Sequence, residues 1–234
     1  MKTTGNTVFI SGGSAGIGLA IAKKLSAEGN KIIINGRNEE RLQAALQQLN
    51  DAVAIQGDLS VETDRLRIAE ELKTAYPEVN IIVNNAGAAF AYLLNGTENA
   101  HEKAAIEMNT NYFSVIHFTE LLLPHLVEKG EAAVVNISSI AVFRSHKMLP
   151  TYSASKAALH GYTTALRDTY EDQGNVHIYE VYPPLVNTEF SAEIGGANGI
   201  PPSEVADELF LALERNQFDV PVGDSKQFFA KEPA

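Results

Sequence analysis

With 234 residues and 45% hydrophobic side chains, the chain is long enough for one α/β domain with a buried core, or at a stretch two small ones. A net charge of -11 and a pI near 5.0 argue against nucleic-acid or anionic-membrane partners, which select basic patches. The absence of cysteine excludes disulfides and thiolate chemistry, and no stretch approaches the roughly 18 apolar residues of a membrane span.

The N-terminus runs from Met1 to Asn6 before the apolar run Val8-Phe9-Ile10, which is far too brief for the apolar core of a signal peptide, so the expected compartment is the cytoplasm. Short apolar runs predict strands at 7–11, 31–35, 52–56, 81–84, 132–137, 177–181 and 219–222. Helix-length segments begin near Gly16, Asn38, Val61, Glu98, Thr151 and Ser203. Strand followed by helix, repeated this way, predicts a parallel sheet covered on both sides. Runs such as Ile32-Ile33-Ile34 are apolar without alternation, as strands buried on both faces require. The expected fold is a three-layer, Rossmann-type, doubly wound parallel sheet of about seven strands, in one domain spanning 1–234.

The first strand runs into Ser11-Gly12-Gly13-Ser14-Ala15-Gly16-Ile17-Gly18. Glycines at 12, 16 and 18 let the backbone approach a pyrophosphate, and the helix behind them offers free N–H groups and its positive dipole end. The same letters satisfy G-x-S-x-G, the nucleophile elbow of a serine hydrolase, with Ser14 as nucleophile. That elbow needs several strands before it, whereas Ser14 follows the first. The second strand ends in Gly36-Arg37-Asn38, where a dinucleotide fold meets the adenosine ribose. An acid there would bind the 2′-hydroxyl of NAD; the guanidinium of Arg37 suits a 2′-phosphate and favours NADP. Asp58 and Leu59 follow the third strand, where Asp58 is an adenine contact, a helix cap, or both.

Further along stand Asn85-Ala86-Gly87, Met108-Asn109-Thr110-Asn111, Ser138-Ser139 and Tyr152-Ser153-Ala154-Ser155-Lys156. On a helix, residues four apart share a face, so Tyr152 and Lys156 point into one space. A cation within about 4 to 6 Å lowers a phenol's pKa by roughly 1 to 3 units, which makes such a tyrosine a proton donor and acceptor. With these motifs in order, the chain resembles the short-chain dehydrogenase/reductase family, in its short single-domain branch, over nearly its whole length up to about Glu189.

The resemblance implies roles. Gly12, Ser14, Ala15, Gly16, Ile17 and Gly18 would hold the cofactor phosphates, with Arg37, Asn38, Asp58 and Leu59 at its adenosine end. Asn85, Ala86 and Gly87 would line the central strands beside it. Tyr182-Pro183-Pro184-Leu185-Val186-Asn187-Thr188 resembles the segment flanking the nicotinamide, with Pro183, Val186 and Thr188 as contacts and Pro184 where the family has glycine. Asn111, rather than Asn109, matches the asparagine that kinks a helix and holds a relay water. Ser139 stands thirteen residues before Tyr152, the family's spacing for the serine that binds the substrate oxygen. Tyr152 would pass the proton, and Lys156 would acidify it and hold the ribose.

The expected activity is NADP(H)-dependent reduction of an apolar or aromatic ketone or aldehyde, or the reverse alcohol oxidation. Alternatives are an NAD-dependent alcohol dehydrogenase of the same family and a non-catalytic NADP-binding regulator. Phe90, Tyr92, Ile140, Val142, Phe143, Leu149, Leu185 and Phe190 are the expected pocket lining, and the glycine- and proline-rich 189–202 either a lid or a loose connector. His101-Glu102 lacks a histidine at 105, and the six histidines show no ligand spacing, so no metal is expected. Small residues on the Tyr152 helix suggest a homodimer or homotetramer, and the ending 226–230 suggests a docking segment or a tail.

Overall fold

The computed structural model describes residues 1–230, apart from the side chain of Glu171, so the last four residues of the expected domain lie outside the described ones. The chain runs β1 (Thr7–Ser11), α1 (Gly16–Ala27), β2 (Lys31–Gly36), α2 (Glu39–Leu46), β3 (Ala52–Gln56), α3 (Glu62–Ala75) and β4 (Val79–Asn84). It continues with α4 (Ala100–Met108), α5 (Ser114–Val127), β5 (Ala132–Ile137), α6 (Pro150–Glu171), β6 (Val176–Tyr182), α7 (Pro202–Arg215), β7 (Asp219–Pro221) and α8 (Lys226–Phe229). Seven strands pair in the order β3-β2-β1-β4-β5-β6-β7, all parallel.

Each central strand feeds two cores by simple alternation. Val8, Ile10, Ile32, Ile34, Ile81 and Val83 pack with α1, α2 and α7 on one face. Phe9, Ile33, Ile82 and Ile178 pack with α3, α5 and α6 on the other. Order reverses between β1 and β4, so their carboxyl ends open the crevice in which open α/β sheets bind ligands.

A row of polar side chains crosses this apolar sheet. The register sets Asn84 beside Asn136, Asn136 beside Glu180, and Glu180 beside Asp219. Asn84 Nδ2 donates to Asn136 Oδ1 at 2.8 Å, and Asn136 Nδ2 to Thr163 Oγ1 of α6 at 2.9 Å. Glu180 Oε2 meets His160 Nδ1 at 3.0 Å, and Arg167 Nη1 donates to Asp219 Oδ1 at 3.0 Å. Each residue of the row thereby meets at least one polar group, although Glu180 Oε1 has no hydrogen-bond partner among the described residues.

Three segments refine the expectations. The helix starting near Glu98 is two, joined by a π-helical turn at Asn109–Phe113. The ending 226–230 folds back on its own chain, with Phe228 stacked on Phe143 at 5.1 Å and Phe229 against Tyr182 at 5.0 Å. Residues 189–202 are not loose. They form 3-10 turns at Glu189–Ile194 and Gly196–Asn198, held by a bridge between Val186 and Ile200 and by Ser191, whose buried hydroxyl donates to Val186 O at 2.5 Å.

Candidate active site

The glycine turn lies at the carboxyl end of β1 and is built by close backbone approach. A Cβ on Gly18 would sit 2.4 Å from Gly12 O and 2.5 Å from Asn85 Nδ2. Gly12 adopts a φ of +63° and Gly16 of +53°, conformations that side chains disfavour. Asn85 Nδ2 donates to Ser11 O at 2.9 Å and Gly12 O at 3.2 Å, while Ser11 Oγ accepts from the N–H groups of Asn85 and Ala86. The turn is thus stitched to the end of β4. A Cβ on Gly16 would come within 3.2 Å of Thr188 Cγ2, so the 183–188 segment closes over the same cradle. Beside it a cavity of about 610 Å³ runs between α1 and α7, past Gly16, Lys23 and Thr188.

At the end of β2, a second cavity of about 370 Å³ is lined by Arg37, Gln56, Gly57, Asp58, Asp64 and Arg67. Arg37 is exposed and its Nη1 lies 3.7 Å from Asp58 Oδ2. Asp58 also holds the N–H and hydroxyl of Ser60, and its own N–H goes to Asp64, so it is a turn-maker as well as a cavity wall. Asn38 caps α2 by accepting from Arg41 N at 2.9 Å, and Leu59 is buried with its carbonyl taken by Arg65. Ser14 Oγ lies within 3.2 Å of where a Cβ on Gly36 would stand, over the end of β2. It is part of the cradle, not a nucleophile on a projecting elbow.

Tyr152, Lys156, Ser139 and Asn111 come together at the carboxyl ends of β4 and β5. Pro150 opens α6 at a position where its missing N–H costs nothing, and Tyr152 follows in the first turn. Ser139 leaves β5, its Oγ accepting from Ala141 N at 3.1 Å, and faces the phenol. Lys156 is buried and its Nζ donates to Ile137 O at 2.8 Å. Asn111 sits in the π turn, fully buried, with its amide committed: Oδ1 accepts from Ala88 N, while Nδ2 donates to Ala88 O and Ser155 Oγ. Asn109 lies elsewhere, bonded to Ser60 O.

At Tyr152 burial sets the direction of the shift. Burial pushes the phenol up to about 12, with the Ser139 hydroxyl pulling it partly back and Glu107 pushing it further. Burial likewise draws the Lys156 ammonium down to about 8, against the attraction of Glu180. Lys156 Nζ is anchored on Ile137 O and stands 5.8 Å from the centre of the tyrosine ring. Desolvation therefore outweighs the cation.

The wall around Tyr152 is apolar, made of Ala141 and Leu149 with Ala89, Ala91 and Ile194 against them. Phe190 approaches the Tyr152 ring at 6.2 Å. Of the expected lining, Phe143 instead faces α8, and Tyr92 turns its hydroxyl onto Thr151 at 2.6 Å.

Sequence reading missed two acids. Glu107 is wholly buried, four residues before Asn111 on the same helical face. Its Oε1 accepts from Phe90 N at 2.8 Å, its Oε2 has no hydrogen-bond partner among the described residues, and burial pushes its pKa up. Glu180 is the second, and an acid inside the apolar run of β6 was a visible signal.

A doubly wound parallel sheet with a glycine cradle at its switch point and a tyrosine, lysine and serine beside it defines a dinucleotide-dependent oxidoreductase scaffold. The family model for short chain dehydrogenase matches residues 6–198, and the chain belongs to that family. It is 37% identical over 212 residues to the uncharacterized oxidoreductase DltE of Bacillus subtilis (strain 168), covering 90% of this chain and 83% of that protein. A short-chain dehydrogenase/reductase from Burkholderia phymatum, solved with NAD, shares the fold at a TM-score of 0.88 and 20% identity, over 94% of this chain and 90% of that one. Another from Burkholderia cenocepacia, solved with NADP, shares it at 0.87 and 23%, over 98% and 93%.

Proposed function

We propose that the chain is an NADP(H)-dependent carbonyl reductase that converts an apolar or aromatic ketone or aldehyde to an alcohol, reversibly. What carries the reading is the convergence of a protonated Tyr152, Ser139 and Lys156 under an apolar wall, next to a glycine cradle that no side chain could occupy. That cradle fits a dinucleotide. Gly12, Ser14, Ala15, Gly16, Ile17 and Gly18 would hold its phosphates, and Asn85, Ala86, Gly87, Pro183, Val186 and Thr188 would flank its nicotinamide.

When bound, the reduced nicotinamide supplies the hydride that goes to the carbonyl carbon. Tyr152 gives its proton to the carbonyl oxygen, so each turnover consumes one hydride and one proton. Ser139 donates a hydrogen bond that orients that oxygen. Lys156 would supply positive charge near the Tyr152 ring and bond the ribose. Because both Nδ2 hydrogens of Asn111 are taken and its Oδ1 already accepts from Ala88 N, a water path that reloads Tyr152 would leave from its main-chain carbonyl in the π turn. Segment 189–202 would lie over the substrate as a lid hinged at its pinned ends.

Arg37 in the adenosine-end cavity supports NADP. Asp58 and Asp64 in the same cavity favour a second reading, NAD with a carboxylate on the 2′-hydroxyl. A panel of carbonyls and alcohols run with NADPH and with NADH decides between them. Arg37→Ser is expected to raise the KM for NADPH at least tenfold and leave that for NADH within about twofold. Tyr152→Phe is expected to lose a factor of about 10² to 10⁴ in turnover. Near wild-type reduction by that variant sinks the assignment. Binding of NADPH without turnover of any panel member would instead favour a regulator. Exposed Ile106 and Phe113, together with the open face of α6 around Gly161, support a homodimer or homotetramer, which sedimentation would test.

A further inference from the structure

We propose that Glu180 is the positioning residue that keeps Lys156 charged, and that His160 competes with Lys156 for its carboxylate. The inference rests on the proposed role of Lys156. Glu180 stands in the middle of β6 with no solvent exposure. An ionised carboxylate there is costly unless cations and donors answer it. Oε2 meets His160 Nδ1 at 3.0 Å, while Oε1 is buried with no hydrogen-bond partner among the described residues.

Lys156 and His160 lie four residues apart on one face of α6, above this strand. The register completes the triangle, since Glu180 lies opposite Asn136, and the next residue, Ile137, carries the carbonyl that anchors Lys156 Nζ at 2.8 Å. Three further charged or titratable groups face Glu180. Arg167 of α6 is bonded to Asp219 of β7 at 3.0 Å, and Tyr182 of β6 donates to the same carboxylate at 2.9 Å. Arg167 and Tyr182 are both turned to Asp219, and Tyr182, which also lies against Glu180, brings no positive charge, so the cations left to answer Glu180 are Lys156 and His160.

The division has a direction. The hydrogen bond to Glu180 raises the His160 pKa, and the Glu180 charge opposes the fall that burial imposes on Lys156. As pH rises, His160 sheds its proton first because it starts from the histidine range. Glu180 then acts on Lys156 alone, and Lys156 holds its charge further into the alkaline range. With 40% of its side chain exposed, His160 exchanges that proton with solvent directly.

The test is the pH profile of kcat/KM for wild type, Glu180→Gln and His160→Arg, together with an NMR titration of the His160 imidazole in wild type, Glu180→Gln and Lys156→Met. Both activity variants are expected to move the alkaline limb toward acid by about one unit, since one loses the carboxylate and the other occupies it at every pH. Activity at pH 8.5 then falls several-fold, while at pH 6 it stays within about twofold. The His160 midpoint is expected to fall in Glu180→Gln and rise in Lys156→Met. An unmoved limb in both activity variants, or a His160 midpoint indifferent to Lys156→Met, overturns the proposal. If the wild type reduces no carbonyl, the function proposed above fails, and the imidazole titration decides this inference by itself.

Discussion

Tyr152 keeps its proton at neutral pH, because burial pushes its phenol up to about 12. That suits the proton-donor role proposed for it. Lys156 carries the opposite strain. With a folded pKa of about 8 against about 10.4 for a free lysine, it is depressed, so the folded state sheds its proton first. Its contribution therefore opposes folding below pH 8 and is relieved as pH climbs from 8 to about 10.4, on the order of 3 kcal/mol in all. Lys156→Met is expected to be more stable than wild type at pH 7 and to lose that advantage by pH 10, as urea midpoints at both pH values will show. Glu107 gives a second case. Glu107→Leu leaves the Phe90 N–H buried without an acceptor, which costs about 1 to 3 kcal/mol, whereas Glu107→Gln keeps the acceptor and is expected to lose less than half as much. Equal losses in thermal melts of the two variants would show that the carbonyl oxygen of the side chain is not what holds the loop. Neither buried state was legible in the letters. The i,i+4 spacing of Tyr152 and Lys156 was read correctly, but desolvation depends on what covers a residue, and that is known only once the chain is folded.

Elements were more legible than their joints. The sequence marked β1, β3 and β5 at their observed bounds and the others to within two residues, because uninterrupted apolar runs in a parallel sheet are long and bounded by polar turns. The resemblance placed a helix kink at Asn111, but the letters did not show it to be a π turn over Asn109–Phe113, since one extra residue in a helical turn changes no periodicity that a short window can register. The turn nevertheless carries Asn111 inward to Ala88 and Ser155. The glycine cradle was readable in kind, though not in degree. With a Cβ at 2.4 Å from Gly12 O, Gly18→Ala must push α1 away from the turn, at a cost of about 1 to 3 kcal/mol, and is expected to weaken NADPH binding at least tenfold. Fluorescence titration with NADPH checks this, and an unaltered affinity would mean the phosphates sit elsewhere.

For the whole molecule, the fold class followed from the order of elements, whereas the way its surface and ends are used did not. Among the described residues no helix is long and apolar enough to cross a membrane. The ending 226–230, which read as a docking segment or a tail, packs on Phe143 and Tyr182 of its own chain, and the Phe143 contact joins residues some 85 positions apart that no local pattern announces. Alkali should find the molecule's weak side. Burial raises the phenols of Tyr152 and Tyr162 to about 12, so both stay protonated in the folded chain after the unfolded chain has begun to lose those protons near pH 10. A raised acid pKa of this kind favours unfolding as pH rises past 10, and stability is expected to fall steeply between pH 10 and 12. A melting temperature that stays level across that window would contradict it.

The amide and carboxylate ends running from Asn84 to Asp219 also bear on how the chain finds its alignment. Sliding any of β4 to β7 by one residue would drive such a group toward the opposite core and bring an aliphatic side chain against its former partner. Mispaired arrangements of these four strands are thereby penalised at every step, where a stack of bare valines and isoleucines would tolerate them, and a chain stripped of Asn84 and Asn136 should refold through more off-register species and aggregate sooner while doing so.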